Sequence, residues 1–464
     1  MKSRILSFLC CLVILMSTCG CSKVPQLVKD AQPTKAELLA EINEEHRRWD
    51  GGSSDPTPYL RHYDDPTDAL KSTDYLTETY SEYDAQKKLN PEEAKEDVNY
   101  LFDAFYYDFA FYDYFGGHAA FDQAKAEILQ EVQARANLTC KDLQEILVKH
   151  LTFIKDGHFN INQSFPAEKE IPFFFRQVMF VKTDSGYQDS KGKTVVSVDG
   201  YPDLDALFKR SISKEGYLVY YPVLLKEAKF DGTEWDKHVC DEQLTVHYAD
   251  GSTDVLTADT WSQYYKDLPK GQNTDLRQTD GIPVFQFNNF DSSFLEETNA
   301  AAAQMSNAEI SMLDLRSNVG GYEEVAHQWI NRYSRQRVFG NGVRYSVLSS
   351  LSSTPKTSCA SNDNILILLS GKCSASSAEI TLDLSYHLEN SLIIGENTNG
   401  SMISNSGHIE LPNSKSPVMM TFSTVYLTPD GSDYFEELRG FFPDIWVPAK
   451  EAETLAAKLM ENLK

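Results

Sequence analysis

The spacing of apolar residues predicts three helices between residues 90 and 157. The first begins at Asn90-Pro91-Glu92-Glu93, which combines a capping side chain, a proline at the first helical position and acids in the first turn. Apolar residues from Val98 to Phe105 then recur at helical spacing. A second helix is predicted over about Ala119 to Ala134. A third is predicted from Thr139 to Asp156-Gly157, because glycine suits the left-handed position after a helix, and His158 follows directly.

From about Ile171 to Ala258 the pattern changes to short strands that alternate apolar and polar residues. The alternation over Lys193 to Val198 closes at Asp199-Gly200, and that over Leu244 to Ala249 closes at Asp250-Gly251. Aspartate-glycine pairs between alternating segments are typical of hairpin turns. A β-rich insert is therefore predicted here.

Strands and helices alternate after Gly281, a pattern that indicates an α/β layer. The predicted elements are strand Val284 to Phe287, helix Ser293 to Met305, strand Ile310 to Leu315, helix Tyr322 to Tyr333, strand Ile365 to Leu369, helix Ser376 to Leu388 and strand Leu392 to Ile394. The predicted fold class is α/β.

The first twenty residues are typical of an export signal. Lys2 and Arg4 precede an apolar stretch from Ile5 to Met16, which is short for a membrane-spanning helix, and small and polar residues follow it. The Gly-Cys pair ending at Cys21 resembles a bacterial lipobox, although Thr18 stands where leucine is usual. We expect lipidation of Cys21 and anchoring at the extracytoplasmic face of the cell membrane. Cleavage by an ordinary signal peptidase, giving a secreted protein, is the alternative.

These patterns divide the chain into five parts. They are a signal peptide with a lipobox-like end (1–20), a tether and irregular lead-in (21–88), a helical N-terminal subdomain (89–165), the β-rich insert (166–265) and the α/β unit (270–464).

Composition and charge narrow the classes of function. The chain has 25 Phe, 24 Tyr and 5 Trp, and 41% of its residues are hydrophobic, which argues against a disordered protein. With 43 Lys and Arg against 68 Asp and Glu, the formal charge of -25 disfavours binding to nucleic acid or to anionic lipid. Membrane contact is therefore expected only through the N-terminal lipid.

Four cysteines remain once the signal is removed and Cys21 carries lipid: Cys140, Cys240, Cys359 and Cys373. They lack CxxC spacing and a His-rich companion motif, so neither a zinc site nor a thioredoxin-like redox site is indicated. Buried free thiols are favoured, and one disulfide is the alternative.

Three segments of the α/β unit carry residues suited to chemistry. Gly320 and Gly321 lie between a strand and a helix, where main-chain N–H groups can meet an oxyanion. Ser376 begins a predicted helix, where the helix dipole favours a nucleophile, although Ser376 and Glu379 also match a capping box. Glu437 lies in a loop rich in bulky apolar residues.

Together these segments resemble, in order and spacing, the C-terminal processing (tail-specific) serine peptidase family. The resemblance covers about residues 90 to 464 and is carried by Asp156-Gly157-His158, the run from Asp314 to Gly321, Ser376-Ser377-Ala378-Glu379, and Glu437-x-x-Gly440-x-x-Pro443-Asp444. It implies a crotonase-like catalytic core, polypeptide substrates and no cofactor. Val195 to Pro202 is similar to the strand-turn element of PDZ-type domains, so the insert is interpreted as a degenerate PDZ-like module.

The resemblance also implies a mechanism. Well-known members use a serine-lysine dyad, but Ser401 stands in the segment where that lysine would fall, and no lysine lies between Lys372 and Lys415. The chain therefore looks closer to the tricorn-type branch, which activates serine with histidine and glutamate. In this interpretation Ser376 is the nucleophile, His158 the general base and Glu437 its support. The residues predicted for the oxyanion hole are Gly320, Gly321 and Ser377.

Alternatives remain at several positions. His158 can instead end a helix by bonding nearby carbonyls, and Ser374 and Ser377 are rival nucleophiles. The tricorn branch carries serine before its histidine, whereas this chain has Gly157. A catalytically silent homologue that binds peptides or hydrophobic ligands is the competing function. Three further residues, Asp314, Arg316 and Asp444, are interpreted as structural.

Overall fold

The computed structural model describes residues 24–49, 55–71, 75–77, 79–135, 137–230, 235–236, 239–346, 352–353, 359–402, 406–422, 424–428 and 434–463. The predicted export signal and Cys21 lie outside the described residues. Among the residues described, no helix is both long enough and apolar enough to span a bilayer.

Ten α-helices lie within the described ranges. They are α1 (Gln26–Asp30), α2 (Lys35–Arg47), α3 (Pro91–Asp108), α4 (Gly117–Ala134), α5 (Cys140–His150), α6 (Leu204–Leu207), α7 (Leu295–Met305), α8 (Glu323–Ser334), α9 (Ser377–Ser385) and α10 (Ala452–Asn462). Short 3₁₀ turns cover Thr57–Tyr59, Pro66–Lys71, Ser292–Phe294 and Ala449–Glu451.

The strands of the N-terminal part and the insert are β1 (Lys88–Leu89), β2 (Leu138–Thr139), β3 (Asn160–Ile161), β4 (Lys169–Phe174), β5 (Phe180–Thr183), β6 (Gly186–Asp189), β7 (Val195–Val198), β8 (Phe208–Ile212), β9 (Leu218–Ala228), β10 (Gln243–Tyr248) and β11 (Thr253–Thr257). Those of the C-terminal part are β12 (Thr274–Thr279), β13 (Ile282–Phe287), β14 (Ile310–Asp314), β15 (Val343–Ser346), β16 (Ser352–Ser353), β17 (Ile365–Ser370), β18 (Ser391–Gly395), β19 (Ser406–Glu410), β20 (Pro417–Thr421), β21 (Thr424–Leu427), β22 (Phe435–Glu436), β23 (Gly440–Phe441) and β24 (Ile445–Trp446).

A six-stranded sheet forms the centre of the C-terminal part, in the order β12-β13-β14-β17-β18-β24. Within this sheet, β13, β14, β17, β18 and β24 run parallel to one another. Strand β12 pairs antiparallel with β13 as a hairpin. Strands β14, β17 and β18 are almost wholly buried, which is why they are continuous apolar runs rather than alternating ones. The predicted α/β class is confirmed, and the predicted strands and helices after Gly281 are present.

The helical N-terminal part is held to the C-terminal part by a shared strand pairing. Strand β3 pairs antiparallel with β20, with Ile161 opposite Val418 and Asn160 opposite Met419. Helices α3, α4 and α5 share one apolar core with residues of β19, β20 and β21. His158 lies two residues before β3, so this pairing places it near the C-terminal part.

Local signals explain where these helices begin. The side chain of Asn90 accepts the N–H groups of Glu92 and Glu93, and the carboxylate of Glu93 accepts the N–H of Asn90. Thr139 and Asp142 make the same reciprocal arrangement at the start of α5.

The predicted end of the third helix is wrong by several residues. Helix α5 ends at His150, not at Asp156-Gly157. Leu151 and Ile154 then turn into the helical core, where both are fully buried. The carboxylate of Asp156 accepts the N–H of His158 at 2.9 Å, so Asp156 and His158 belong to a turn stabilised by an aspartate side chain.

The insert contains two β-sheets with their own apolar core. One has the order β4-β9-β5-β6, with β8 also paired to β9, and the other has the order β11-β10-β7. Strand β4 is buried along most of its length and enters the insert directly from the helical part.

Part of the segment predicted as a tether packs against the central sheet. Leu38 and Ile42 of α2 are buried in the same cluster as Leu392 and Ile394 of β18. At the end of α2, Nε2 of His46 lies 2.9 Å from a carboxylate oxygen of Asp444. Residues 35–47 are therefore a structural part of the fold.

The cysteines follow the favoured prediction in part. Cys140, Cys240 and Cys373 are free thiols, but only Cys140 among them is buried.

Candidate active site

Ser376 lies between strand β17 and helix α9, in a backbone conformation that is unusual for serine. Its φ of 55° and ψ of -119° lie in a region that non-glycine residues rarely occupy, and such strain concentrates at functional positions. The N–H of Ser376 donates to Oε2 of Glu379 at 3.0 Å. The side chain is half-buried, at the N-terminal end of the nine-residue helix α9.

The turn after strand β14 packs directly on Ser376. A Cβ placed on Gly320 would lie 2.6 Å from Cβ of Ser376 and 2.9 Å from the carbonyl oxygen of Ala375, so only glycine fits there. The hydroxyl of Ser377 donates to the carbonyl oxygen of Gly321 at 2.7 Å, which fixes the turn against the start of α9. The two predicted glycines and both serines thus lie together.

Of the predicted oxyanion donors, Gly320 is already engaged. Its N–H donates to Oδ1 of Asn318 at 2.8 Å. A substrate oxygen would have to compete with that hydrogen bond. The N–H groups of Gly321 and Ser377 are therefore the remaining candidates for the oxyanion hole.

The rival nucleophiles have structural contacts. The hydroxyl of Ser374 donates to the carbonyl oxygen of Leu315 at 2.8 Å and accepts the N–H of Gly371, and Ser374 is fully buried. The hydroxyl of Ser377 is held by Gly321. These contacts favour Ser376 over both neighbours.

Asp156, His158 and Glu437 form a second cluster, brought together from the helical part and the C-terminal tail. One side-chain oxygen or nitrogen of each lies within 4.8 Å of the others, and Asp156 and His158 are buried. Oε1 of Glu437 accepts the N–H of Gly157 at 2.7 Å, which fastens the tail to the residue before the histidine. The predicted base and its predicted support are therefore neighbours.

Gly157 has no room for a side chain. A Cβ there would lie 2.0 Å from the carbonyl oxygen of Gly400, and 2.7 Å from both Oε1 of Glu437 and Oγ of Ser401. The chain therefore cannot carry, in this arrangement, the serine that the tricorn branch has before its histidine. Main-chain atoms of Gly400 occupy that space instead.

Glu379 joins the two clusters. It is fully buried and accepts four hydrogen bonds. They come from the N–H of Ser376 (3.0 Å), the hydroxyl of Thr398 (2.6 Å), the N–H of Gly400 (2.7 Å) and the N–H of Ser401 (2.9 Å). Ser401 in turn donates its hydroxyl to the carbonyl oxygen of Gly157 at 2.9 Å. A continuous chain of contacts thus runs from Ser376 to the residue before His158.

Sequence reasoning missed Lys169, the first residue of β4. Lys169 is only 2% exposed, and its ammonium group contacts the carbonyl oxygen of Gly157 (3.0 Å), Oγ of Ser401 (2.9 Å) and Oδ1 of Asn399. The alternation of residues along β4 gives one sequence signal for Lys169. Lys169 falls on the same face of the strand as the buried residues Ile171 and Phe173, and a lysine is unusual on a buried face.

Burial shifts the pKa values of four ionisable groups around this centre. It raises the pKa of Asp156 to about 6, raises that of Glu379, and raises that of Glu437 well above its usual range. Burial lowers the pKa of Lys169 to about 8, although Glu437, Glu379 and Asp156 oppose that change. Shifts of this size in a set of neighbouring groups are typical of active sites.

Asp156, His158 and Glu437 are close enough for a divalent cation to contact all three. The charge of buried Lys169 acts on both carboxylates and would repel a cation. This charge disfavours a divalent cation in the cluster.

The residues interpreted as structural make structural contacts. Arg316 donates to both carboxylate oxygens of Asp314, at 2.8 and 2.7 Å, and both side chains are buried. Asp444 accepts the N–H of Ile393 at 2.6 Å and contacts His46.

The parallel strands of the α/β sheet and the strained Ser376 at the start of α9 lie within residues 282–447, which match the model of Peptidase family S41. This match supports a serine peptidase. The match includes Gly320, Ser376 and Glu437, whereas His158 and Lys169 lie before it.

Solved structures of proteases are similar to the chain over much of its length. The photosystem II D1 C-terminal processing protease is 14% identical, covering 80% of this chain and 97% of its own, with a TM-score of 0.36. Mature CPAF complexed with lactacystin is 13% identical, covering 80% and 97%, with a TM-score of 0.40. An S41 protease from Bacteroides fragilis is 13% identical, covering 69% and 90%, with a TM-score of 0.35. A search of curated proteins finds no match.

Proposed function

We propose that the protein is an exported serine endopeptidase that cleaves polypeptides through an acyl-enzyme, with Ser376, His158 and Glu437 as its catalytic set. The observation that carries the proposal is the chain of contacts from Ser376 through Glu379 and Ser401 to Gly157, beside a cluster that contains His158 and Glu437. The peptidase S41 match supports the reaction class.

In this mechanism His158 takes the proton of the Ser376 hydroxyl as the serine oxygen attacks the peptide carbon, and it later gives that proton to the leaving amine. Glu437 holds the imidazole ring and stabilises its charged form. The N–H groups of Gly321 and Ser377 meet the oxyanion of the tetrahedral intermediate. Water then attacks the acyl-enzyme. His158 takes a proton from this water and afterwards returns a proton to the Ser376 oxygen as the new carboxyl product leaves.

The proposal also covers the fold of the C-terminal part and of the insert. We assign the six-stranded sheet with α7, α8 and α9 to a crotonase-like core, and the β4–β11 segment to a degenerate PDZ-like module that selects polypeptide segments. Strand addition to an exposed edge is the recognition mode such a module uses.

Export and anchoring belong to the same proposal. The positive start, the apolar stretch and the Gly-Cys pair ending at Cys21 support a lipid-anchored protein on the extracytoplasmic face. A single lipid anchors a protein only marginally, and the acidic chain adds no attraction to anionic lipid. Retention in the membrane fraction is the property that tests this part.

Labelling with a fluorophosphonate probe tests the catalytic set, because the probe reacts only with an activated serine. The wild-type protein should label, Ser376→Ala should not, and His158→Gln and Glu437→Gln should label at least about 100-fold more slowly. Ser292→Ala is the control, since it removes an exposed serine hydroxyl outside the site and keeps Ser376 and the turn that Ser377 holds.

Two results would contradict the proposal. Equal labelling of wild type and Ser376→Ala would place the reactive group elsewhere. Absence of labelling in the folded wild-type protein would favour the catalytically silent homologue, and peptide binding without cleavage would then be the function to measure.

A further inference from the structure

Lys169 is a buried cation that the catalytic mechanism above does not use. Three oxygen atoms surround its Nζ: the carbonyl oxygen of Gly157, Oγ of Ser401 and Oδ1 of Asn399. A neutral amine has two hydrogens to donate and an ammonium group has three, so three acceptors match the charged form. The ring of Phe165, with its centre 4.5 Å from Nζ, completes the surroundings.

The acceptors belong to two different loops of the site. Gly157 precedes His158, and Asn399 and Ser401 lie in the loop that Glu379 connects to Ser376. The Ser401 hydroxyl also contacts the carbonyl oxygen of Gly157 at 2.9 Å, so the ammonium group and Ser401 join the same two loops. Lys169 is therefore placed to fix the distance between the histidine loop and the serine.

The charged groups that act on Lys169 come from several elements. They are Asp156 on the histidine loop, Glu379 on α9, Glu437 on the tail and the cation Lys372 in the β17–α9 connection. Three carboxyl groups and two lysines thus share one buried region. Loss of the charge on Lys169 would leave the carboxylates with less compensation.

We propose that Lys169 is a positioning residue of the peptidase site, whose ammonium group holds the loop of His158 against the loop of Ser401. This inference rests on the proposed function. Ser401 stands where related peptidases would carry their dyad lysine, and a lysine from another strand contacts its hydroxyl. The role that follows is to keep His158 in reach of Ser376, with no contact to the reacting atoms.

The pH dependence of labelling distinguishes this role from simple packing. Burial lowers the pKa of Lys169 to about 8, so its charge is present below pH 8 and is lost above it. The wild-type rate of fluorophosphonate labelling should therefore fall above about pH 8. Lys169→Arg keeps a charge at all accessible pH values and should lose this alkaline fall.

Lys169→Met should label about 100-fold more slowly at pH 7, because a misplacement of about 1 Å in a catalytic set can cost that much. Its rate should also lack the fall near pH 8. Lys182→Met is the matched control: Lys182 lies on β5 of the same insert, half-exposed and paired with Asp205 at 2.7 Å, and the variant should keep the wild-type profile.

The outcomes separate this inference from the proposed function. If wild type labels but Lys169→Met keeps both its rate and its pH profile, Lys169 has no positioning role. If Lys169→Arg does not fold, the disappearance of the alkaline fall in folded Lys169→Met decides the question. If the wild-type protein does not label at all, the proposed function fails and this inference fails with it.

Discussion

At the scale of single residues, two glycines shape the site by leaving space for other groups. Gly157 leaves room for the carbonyl oxygen of Gly400, and Gly320 leaves room for the side chain of Ser376. In both cases the neighbouring atoms are main-chain atoms or a Cβ atom. Such atoms cannot move aside as the end of a long side chain can. Small residues at these positions are a requirement of the site geometry.

Gly320→Ala should destabilise the protein and abolish labelling. Its φ of 99° is costly for alanine, by about 1–3 kcal/mol, and the added Cβ would clash with Ser376 and Ala375. Thermal unfolding and fluorophosphonate labelling measure the two effects. Gly281→Ala is the control, since its φ of 82° is similar but no atom lies within 4 Å of the added Cβ.

The control variant should lose about 1 kcal/mol and label like wild type. If Gly320→Ala behaved like Gly281→Ala, the close packing of this turn on the serine would be incorrect.

The sequence predicts some residues of the site and misses others for a physical reason. Ser376 and Gly320 lie in segments with a local pattern, a helix start and a turn after a strand, and that pattern is visible without a structure. Lys169 has no such local pattern. Two of its partners are far away along the chain: Asn399 is 230 positions from it and Ser401 is 232 positions from it. A contact of that kind depends on how whole elements pack.

At the scale of elements, strand pairing rather than any single loop places the histidine loop against the C-terminal part. Strand β3 has only two residues, yet its pairing with β20 fixes the loop that carries His158. The hydrophobic pattern predicts many of the long elements, including α3, α4 and the four inner strands β13, β14, β17 and β18 of the central sheet. It does not predict β3, because two residues are too few to show a period.

Helix α2 should contribute to stability although it precedes the peptidase part. Ile42 is fully buried against the central sheet, so Ile42→Ala should lower the free energy of unfolding by about 2–4 kcal/mol. Chemical denaturation measures this change. Glu44→Ala, on the same helix with an exposed side chain, should change it by less than about 0.5 kcal/mol.

An equal, small effect of both substitutions would mean that α2 does not pack on the sheet. It would return residues 35–47 to the role of a tether.

At the scale of the whole molecule, the chain has a strongly acidic surface and an N-terminus with an export pattern. Loss of Lys2 and Arg4 with the signal changes the formal charge from 43 minus 68 to 41 minus 68, or -27. Electrostatic attraction to anionic lipid is therefore excluded as the means of attachment. In the proposed function, attachment therefore comes from lipidation of Cys21.

Cys21→Ser should release the exported protein from the membrane fraction into the soluble fraction. Cell fractionation followed by immunoblotting measures the distribution, and folding of the peptidase part should be unchanged. Cys19→Ser is the control, because Cys19 belongs to the segment that is removed. Membrane retention of Cys21→Ser would contradict lipid anchoring at that residue.

Composition and period predict a division of the chain into parts, but they do not predict the contacts between those parts. The boundary predicted at residue 166 lies three positions before Lys169, so it separates the insert from the helical part by sequence alone. In the folded molecule β4 lies against the tail, where the N–H of Glu170 donates to the carbonyl oxygen of Leu438 at 3.2 Å.

The position of Lys169 at the start of β4 limits how this enzyme can be rearranged. An insert taken from a relative would replace Lys169 along with the surface that we propose selects polypeptides, and a chain lacking the insert would lose the cation that contacts both loops. Module exchange should therefore succeed only when the incoming strand begins with lysine.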